Sequence, residues 1–255
     1  MSENITYTSK QICEFYADNR IKLCDFYDSE RWVFERIAKE TKTMGSVLDV
    51  GCACGGLGLA LSEKYKLHSY TGIDINRDAI SWANANVKIP IQTEFIAGDI
   101  VRLELDRQFD TVFSLSCADW NIETTAIINS CWNRVKQGGY FVISLRLTTE
   151  DGINDISKSY QYINFSGNDK RPEVANYVVF NFYDALSMFR SITPLPELIG
   201  AYGYRGRPSI TAVTPYKRLL FTVFYIKKGF EITNYDTKSE LFLPAGIYNH
   251  TPSKK

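Results

Sequence analysis

Two patterns in this 255-residue chain predict an α/β fold with a mostly parallel sheet covered by helices on both faces. From 46 to 148, short apolar runs alternate with amphipathic stretches, the order expected of repeated strand–helix–strand units. The first of those runs passes directly into a glycine-rich turn, VLDVGCACGGLG at 47–58. Such a turn lets backbone N–H groups approach a ligand where a Cβ would obstruct it, and the next helix presents its positive end there. Ligands of open α/β sheets collect at the carboxyl ends of the strands, so a nucleotide-like group is expected on residues 49 to 55.

The elements follow in order. Before the sheet, residues 9–20 and 29–41 set apolar side chains at three- and four-residue spacing and read as two helices. Tyr16, Tyr27 and Trp32 on them could cover a bound ligand or simply pack against the core. SVLDV, YTGIDI, TEFIAG, FDTVFSLS and YFVISLRL then read as strands, and LGLALSEKY, RDAISWANANV and TTAIINSCWNRVK as helices. Gly138 and Gly139, just after the basic end of the last of these helices, predict a left-handed C-terminal cap. Residues 149–175 are polar, weakly periodic and too long for a simple connection, which predicts a functional lid above the strand ends. NYVVFNF begins strand-like and leads into a helix from about Tyr183 to Ser191. ELIGAYGYRGRP and KRLLFTVFYIKKG read as a terminal hairpin that completes the sheet. The expected organisation is one domain: a helical extension at 1–44, a ligand-binding core at 45–148, a lid at 149–175, the end of the sheet at 176–229 and a patternless tail at 230–255.

Composition narrows the function classes. Lys+Arg and Asp+Glu both number 29, so no global field draws the chain to nucleic acid or to a membrane, and a small-molecule substrate is expected. Cys13, Cys24, Cys52, Cys54, Cys117 and Cys131 lack paired metal-ligand spacing, and two of them lie inside the glycine turn, so no metal is expected and they read as reduced packing residues. MSENITYTSKQ has no apolar signal region and no run approaches a membrane span, which predicts a cytoplasmic protein.

The acids select the ligand. A phosphate-binding P-loop needs a Gly-Lys-Ser/Thr ending, and none follows Gly55. Gly51, Ala53 and Gly56 loosely fit dinucleotide spacing, but Asp49 ahead of them would repel a pyrophosphate. It suits a ligand with a positive centre and an ammonium group, such as S-adenosylmethionine. Asp74 ends the second strand about twenty residues on, where a carboxylate can accept from both ribose hydroxyls. Asp99 follows the third strand, in position to accept from an adenine amino group while Ile100 packs on the ring. Each acid also has a bland reading: a surface-turn acid, a helix N-cap ahead of Asn76, and an ordinary turn residue.

Taken together, Asp49 to Gly55, GIDI at 72–75, GDI at 98–100, FDTVFSLS at 109–116 and VKQGGYFVIS at 135–144 resemble the ordered motifs of class I S-adenosylmethionine-dependent methyltransferases over roughly residues 45–148. The resemblance implies a Rossmann-like sheet with S-adenosylmethionine as cofactor, held by Asp49, Gly51, Cys52, Ala53, Gly55, Asp74, Ile75, Asp99, Ile100 and Ser116. It also implies that the N-terminal extension closes over the cofactor. Ala53 stands where glycine is commonest in the family, a change of one methyl.

Methyl transfer from a sulfonium is an in-line displacement that needs alignment, exclusion of water and, for a neutral nucleophile, removal of a proton. His68 and His250, the two histidines, lie far from the motif side, and no Asp/Asn-Pro-Pro-Tyr follows the fourth strand. SCADWN stands there instead, which leaves Asp119 as a substrate contact or weak base, or as the cap of a helix starting near Glu123. The alternative is an acceptor that is already an anion, needing cations rather than a base. Arg146 at the end of a core strand is the first choice, with Lys170, Arg171, Arg205 and Arg207 behind it. SLRLTTEDGINDISKSYQYINF and AVTPYKRLLFTVFYIKK also resemble segments of methyltransferases of bacterial capsule biosynthesis, including those proposed to methylate a phosphoramidate. That implies O-methylation of an anionic or sugar-linked precursor. Two rivals stand beside it, N-methylation of an amino sugar or metabolite, and a non-catalytic cofactor-binding module. A thiol or arsenic acceptor would have Cys117 alone near it.

Overall fold

The computed structural model describes residues 10–163, 173–230, 233 and 236–247. Two helices come first, α1 (Lys10–Asp18) and α2 (Asp28–Thr41). The alternation follows: β1 (Gly45–Val50), α3 (Gly56–Ser62), β2 (Leu67–Asp74), α4 (Arg77–Asn86), β3 (Gln92–Ala97), β4 (Phe109–Ser114), α5 (Thr124–Asn133) and β5 (Val135–Thr148). After it come β6 (Tyr160–Tyr162), β7 (Val174–Asn176), β8 (Phe180–Asn181), α6 (Phe182–Ser191), β9 (Pro196–Gly206), β10 (Ala212–Val213), β11 (Leu219–Lys228) and β12 (Lys238–Phe242). Among the described residues no helix is long and apolar enough to cross a membrane.

The main sheet runs β12-β9-β11-β5-β4-β1-β2-β3, with β8 paired to the end of β5. Strands β3, β2, β1, β4 and β5 are parallel neighbours, and β11 is antiparallel to both β5 and β9. Successive connections reverse direction between β1 and β4. The loops that leave these two strands therefore diverge and open a crevice at their carboxyl ends. Burial explains why helices cover both faces. Val33, Phe34, Ile37, Leu57 and Leu61 of α2 and α3 pack with Val47 and Phe113 on one side, while Ile128, Trp132, Phe182 and Phe189 of α5 and α6 pack with Phe141 and Ile143 on the other. The expected mostly parallel sheet with an antiparallel hairpin is the one observed.

One local expectation needs correction, and two segments hold strands that the sequence did not mark. Helix α5 ends at Asn133, and Gly138 sits in left-handed conformation (φ 77°) inside β5, where the register with β4 shifts. The glycine pair serves a bulge, and the end of α5 is closed instead by buried Lys228, whose Nζ donates to the carbonyls of Trp132 (3.0 Å) and Val135 (2.9 Å). Residues 149–175 are not free of regular structure either, since β6 and β7 pair antiparallel and join β10 in a small second sheet. The tail contains β12, which extends β9 in parallel. Its Glu240 accepts from Arg36 of α2 (3.1 Å) and from the Tyr225 hydroxyl of β11 (2.9 Å).

Candidate active site

A cavity of about 1220 Å³ opens at the carboxyl ends of β1, β2, β4 and β5, where the connections diverge. Its floor contains Asp49, Gly51, Cys52, Ala53, Asp74, Ile75, Asp99, Ile100 and Ser116. Gly55 is the exception among the expected floor residues: it lies outside the wall, in left-handed conformation (φ 79°) at the start of α3, where a Cβ would come within 2.6 Å of the Phe95 ring. It shapes the turn rather than facing the cavity.

The floor is built by backbone donors. Asp74 accepts from Ala53 N (2.8 Å) and Asn76 N (2.8 Å), so it ties the glycine turn to the start of α4. The N-cap of α4 is Asn76, whose side chain accepts from Asp78 and Ala79, which removes the cap reading for Asp74. Ala53 is more than glycine plus a methyl. It holds a left-handed φ of 46°, a conformation that costs a non-glycine residue about 1–2 kcal/mol. Ser116 is left-handed too (φ 50°), and its N–H donates to Ser144 Oγ at 2.6 Å. Asp99 accepts from Val101 N (3.0 Å), a turn bond that coexists with its place in the wall.

Asp49 is 3% exposed and accepts from the Tyr70 hydroxyl at 2.5 Å. Burial pushes its carboxyl up to about 7, against the opposing pull of that hydrogen bond. The group is therefore poised between its two forms near neutral pH.

The N-terminal segment forms the cover. Tyr16 and Tyr27 line the cavity, whereas Trp32 packs on Tyr202 (5.1 Å between centroids) and Phe242 (4.8 Å), away from it. Cys13 Sγ of α1 lies 3.6 Å from Cys54 Sγ of the glycine turn. A Cβ at Gly56 would sit 2.4 Å from the Arg20 carbonyl, so the segment rests directly on the turn. Arg20 faces the cavity with its Nη2 held 2.8 Å from buried Glu30. Sequence reasoning missed both residues. The pairing joins the segment after α1 to the first turn of α2, and no periodicity marks it.

On the opposite wall Asp119 and Arg146 find each other. Arg146 Nε donates to Asp119 Oδ2 at 2.7 Å and its backbone N to the same oxygen at 3.1 Å, while Nη2 donates to the Asp119 carbonyl. Both side chains are 5% exposed. The guanidinium carbon lies 3.7 Å from the Tyr177 ring centroid and 4.4 Å from that of Trp120. Two buried polar atoms remain without a hydrogen-bond partner, Arg146 Nη1 and Asp119 Oδ1. Asp119 thus neither caps α5, whose N-cap is Glu123, nor stands free as a base. Tyr177 was not visible as a site residue in the sequence, because its approach to Arg146 depends on the fold of the segment after the lid. Burial raises its hydroxyl above the ordinary tyrosine range, so it stays protonated. Gln161 and Tyr162 of the small sheet and Ile163 just after it, with Tyr204 and Arg207, complete this wall. Lys170 and Arg171 lie outside the described residues, as does His250, and His68 is exposed near the start of β2.

Residues 47–139 match the family model described as a methyltransferase domain. Over that stretch the chain is similar to methyltransferase domains. The methyltransferase fold extends beyond that match: a solved S-adenosylmethionine-dependent methyltransferase from Clostridium acetobutylicum superposes with a TM-score of 0.54 at 15% identity, covering 80% of this chain and 93% of that one. Malonyl-[acyl-carrier protein] O-methyltransferase of Priestia megaterium is 24% identical over 142 residues, 53% of this chain and 52% of that protein. Phosphoethanolamine N-methyltransferase of Plasmodium falciparum is 28% identical over 162 residues, 57% of this chain and 59% of that protein. The chain thus spans a little over half the length of these two curated relatives. Within this chain the matched stretch contains the floor of the cavity, while Arg146, Tyr177 and the arginines of the hairpin lie beyond it.

Proposed function

We propose that this methyltransferase transfers a methyl group from S-adenosylmethionine to an anionic oxygen of a small molecule in the cytoplasm. The observation that carries the reading is Arg146, a residue of the cavity wall anchored through Nε and Nη2, whose buried Nη1 has no hydrogen-bond partner. An arginine so held is a preorganised donor for an oxyanion.

The residues present fit the cofactor. All five line the cavity, and in this reading Asp74 accepts from ribose hydroxyls, Asp99 and Ile100 meet an adenine, Asp49 faces an ammonium, and Arg20 a carboxylate. When bound, the cofactor supplies an electrophilic methyl on a sulfonium. The protein then needs only to hold an acceptor oxygen in line and keep water out. Arg146 does the first through Nη1, and Trp120 and Tyr177, packed on its guanidinium, assist the second. No general base is required for an oxygen that is already charged, which agrees with the absence of histidine from the cavity wall among the described residues. Asp119 Oδ1 adds an acceptor beside that donor. A phosphoramidate, with an oxyanion and an N–H side by side, would satisfy both orphaned atoms, and the resemblance of 144–165 and 212–228 to capsule-biosynthesis methyltransferases supports this acceptor.

A second reading, N-methylation of an amine, is favoured by the tyrosines at 16, 162 and 177 and by Asp119 Oδ1. Calorimetry with S-adenosylhomocysteine tests the cofactor assignment. Asp74→Ala should weaken binding by roughly 1–3 kcal/mol, the consequence of unpaired ribose hydroxyls, and unchanged affinity would refute it. Initial rates on matched phosphoryl and amino acceptors of one skeleton separate the two readings, and turnover of the amine alone would replace the oxyanion proposal.

A further inference from the structure

We infer that the connected end of the β9–β11 pair, where the chain leaves one strand and enters the other, is a second anion site, built to take the phosphate or diphosphate group of the acceptor remote from the atom that is methylated. The inference rests on the proposed function for what the acceptor is, but not for the site itself. Arg205, Gly206, Arg207 and Arg218 line a recess of about 250 Å³, and Gly206 and Arg207 also line the main cavity, so the two spaces are contiguous.

Register explains why three cations meet there. Leu220 faces Arg205 and Leu219 faces Gly206 across the antiparallel pair, and Arg207 and Arg218 are the next residues beyond its last paired step on the two strands. The three arginines thus come together around the one recess. Like charges brought together at a strand pair are destabilising, and an acid among them would relieve the repulsion. Here none of the three arginines has a carboxylate partner among the described residues. Arg205 is steadied by a neutral contact, Nη2 donating to the Ala245 carbonyl at 3.2 Å. The chain as a whole is neutral, so this local excess is not the overflow of a basic protein. Three uncompensated guanidinium groups match a group with several anionic oxygens, which planar forks grip in pairs.

The same hairpin connects the site to the chemistry. Phe221 lies opposite Tyr204 on one side and Arg146 on the other, so these three side chains form a row across β9, β11 and β5. Tyr204 and Phe221 stack at 5.7 Å between centroids and line the cavity. This row lies on the sheet face opposite the one that carries the Arg205 side chain, so Arg207, which lines both spaces, is the arginine that joins the recess to the cavity in which Arg146 stands.

Inorganic pyrophosphate is the probe. Titrated calorimetrically into the full chain loaded with S-adenosylhomocysteine, it should bind with one-to-one stoichiometry and weaken with added salt. Arg207→Gln and Arg218→Gln should each reduce its affinity by about tenfold, the loss of a charge-assisted contact, while the charge-matched control Lys88→Gln leaves it unchanged. S-adenosylhomocysteine affinity, measured on every variant, reports whether the fold is intact. Pyrophosphate binding that is absent, or equally sensitive to Lys88→Gln, overturns the site. Failure of S-adenosylhomocysteine to bind the unmodified protein would instead remove the proposed function, and pyrophosphate binding would still be decided by the arginine variants.

Discussion

Arg146 and Asp119 are partners before any acceptor arrives, and this changes what their substitution can report. Arg146→Ala would strand a buried carboxylate, a loss of about 3–5 kcal/mol that would mix folding with chemistry. Arg146→Lys keeps the charge but lacks the fork and the free Nη1. It should lower kcat by about tenfold or more, the value of one oriented charge-assisted donor, with S-adenosylhomocysteine affinity unchanged. Steady-state kinetics beside calorimetry would check both halves of that expectation. Asp49 sets a pH dependence. Its folded pKa is raised from 3.8 to about 7, so the ligand-free fold retains a proton that the unfolded chain has released. The stability contributed by that proton is present at low pH, falls as pH rises toward about 7 and is constant above it. An ammonium favours the ionised carboxylate. Affinity for S-adenosylhomocysteine should therefore rise toward tenfold per unit between about pH 6 and pH 7, with proton uptake or release read from buffers of different ionisation enthalpy. Asp49→Asn should flatten the profile, and a flat profile in the unmodified protein would sink the assignment.

At the scale of elements, the cover and the tail depend on contacts that join distant parts of the chain. Helix α1 and the residues after it rest on the glycine turn through Cys13, Arg20 and Glu30, so the cofactor floor and its roof are not independent pieces. Strand β12 is anchored in a similar way by Glu240, which accepts from both α2 and β11. Glu240→Ala should destabilise the fold by about 1 kcal/mol in urea unfolding, since its partners are part-exposed and partly re-solvated. Cofactor affinity should not change, because Glu240 is not in the cavity wall. A loss of affinity equal to the loss of stability would show that the β9 edge and the cavity open together.

For the molecule as a whole, one sheet separates two apolar cores and places the cavity at their shared upper edge. A ligand that binds only this assembled edge stabilises the fold by mass action. S-adenosylhomocysteine at about one hundred times its Kd should add about 2.7 kcal/mol, and raise Tm by roughly 5–10 °C for a chain of this size. A thermal scan with and without ligand measures it, and no shift at saturating concentration would contradict binding to the native state.

Much of this architecture was legible in the chain because it is written in short-range signals. Alternating periodicity marked β1 to β5 and their helices, and the glycine turn with the acids at 49, 74 and 99 marked the floor, since backbone conformation and strand order bring these residues together wherever the pattern folds. Gly138 misled because a glycine after a basic helical turn suits a cap as well as a bulge, and only pairing with β4 chose between them. The bond between Asp119 and Arg146, the arrival of Tyr177 and Arg20 at the cavity, and the meeting of Arg207 with Arg218 had no local signal. Each joins residues far apart in sequence or brought together at a strand pair, so strand pairing and packing in three dimensions decided them.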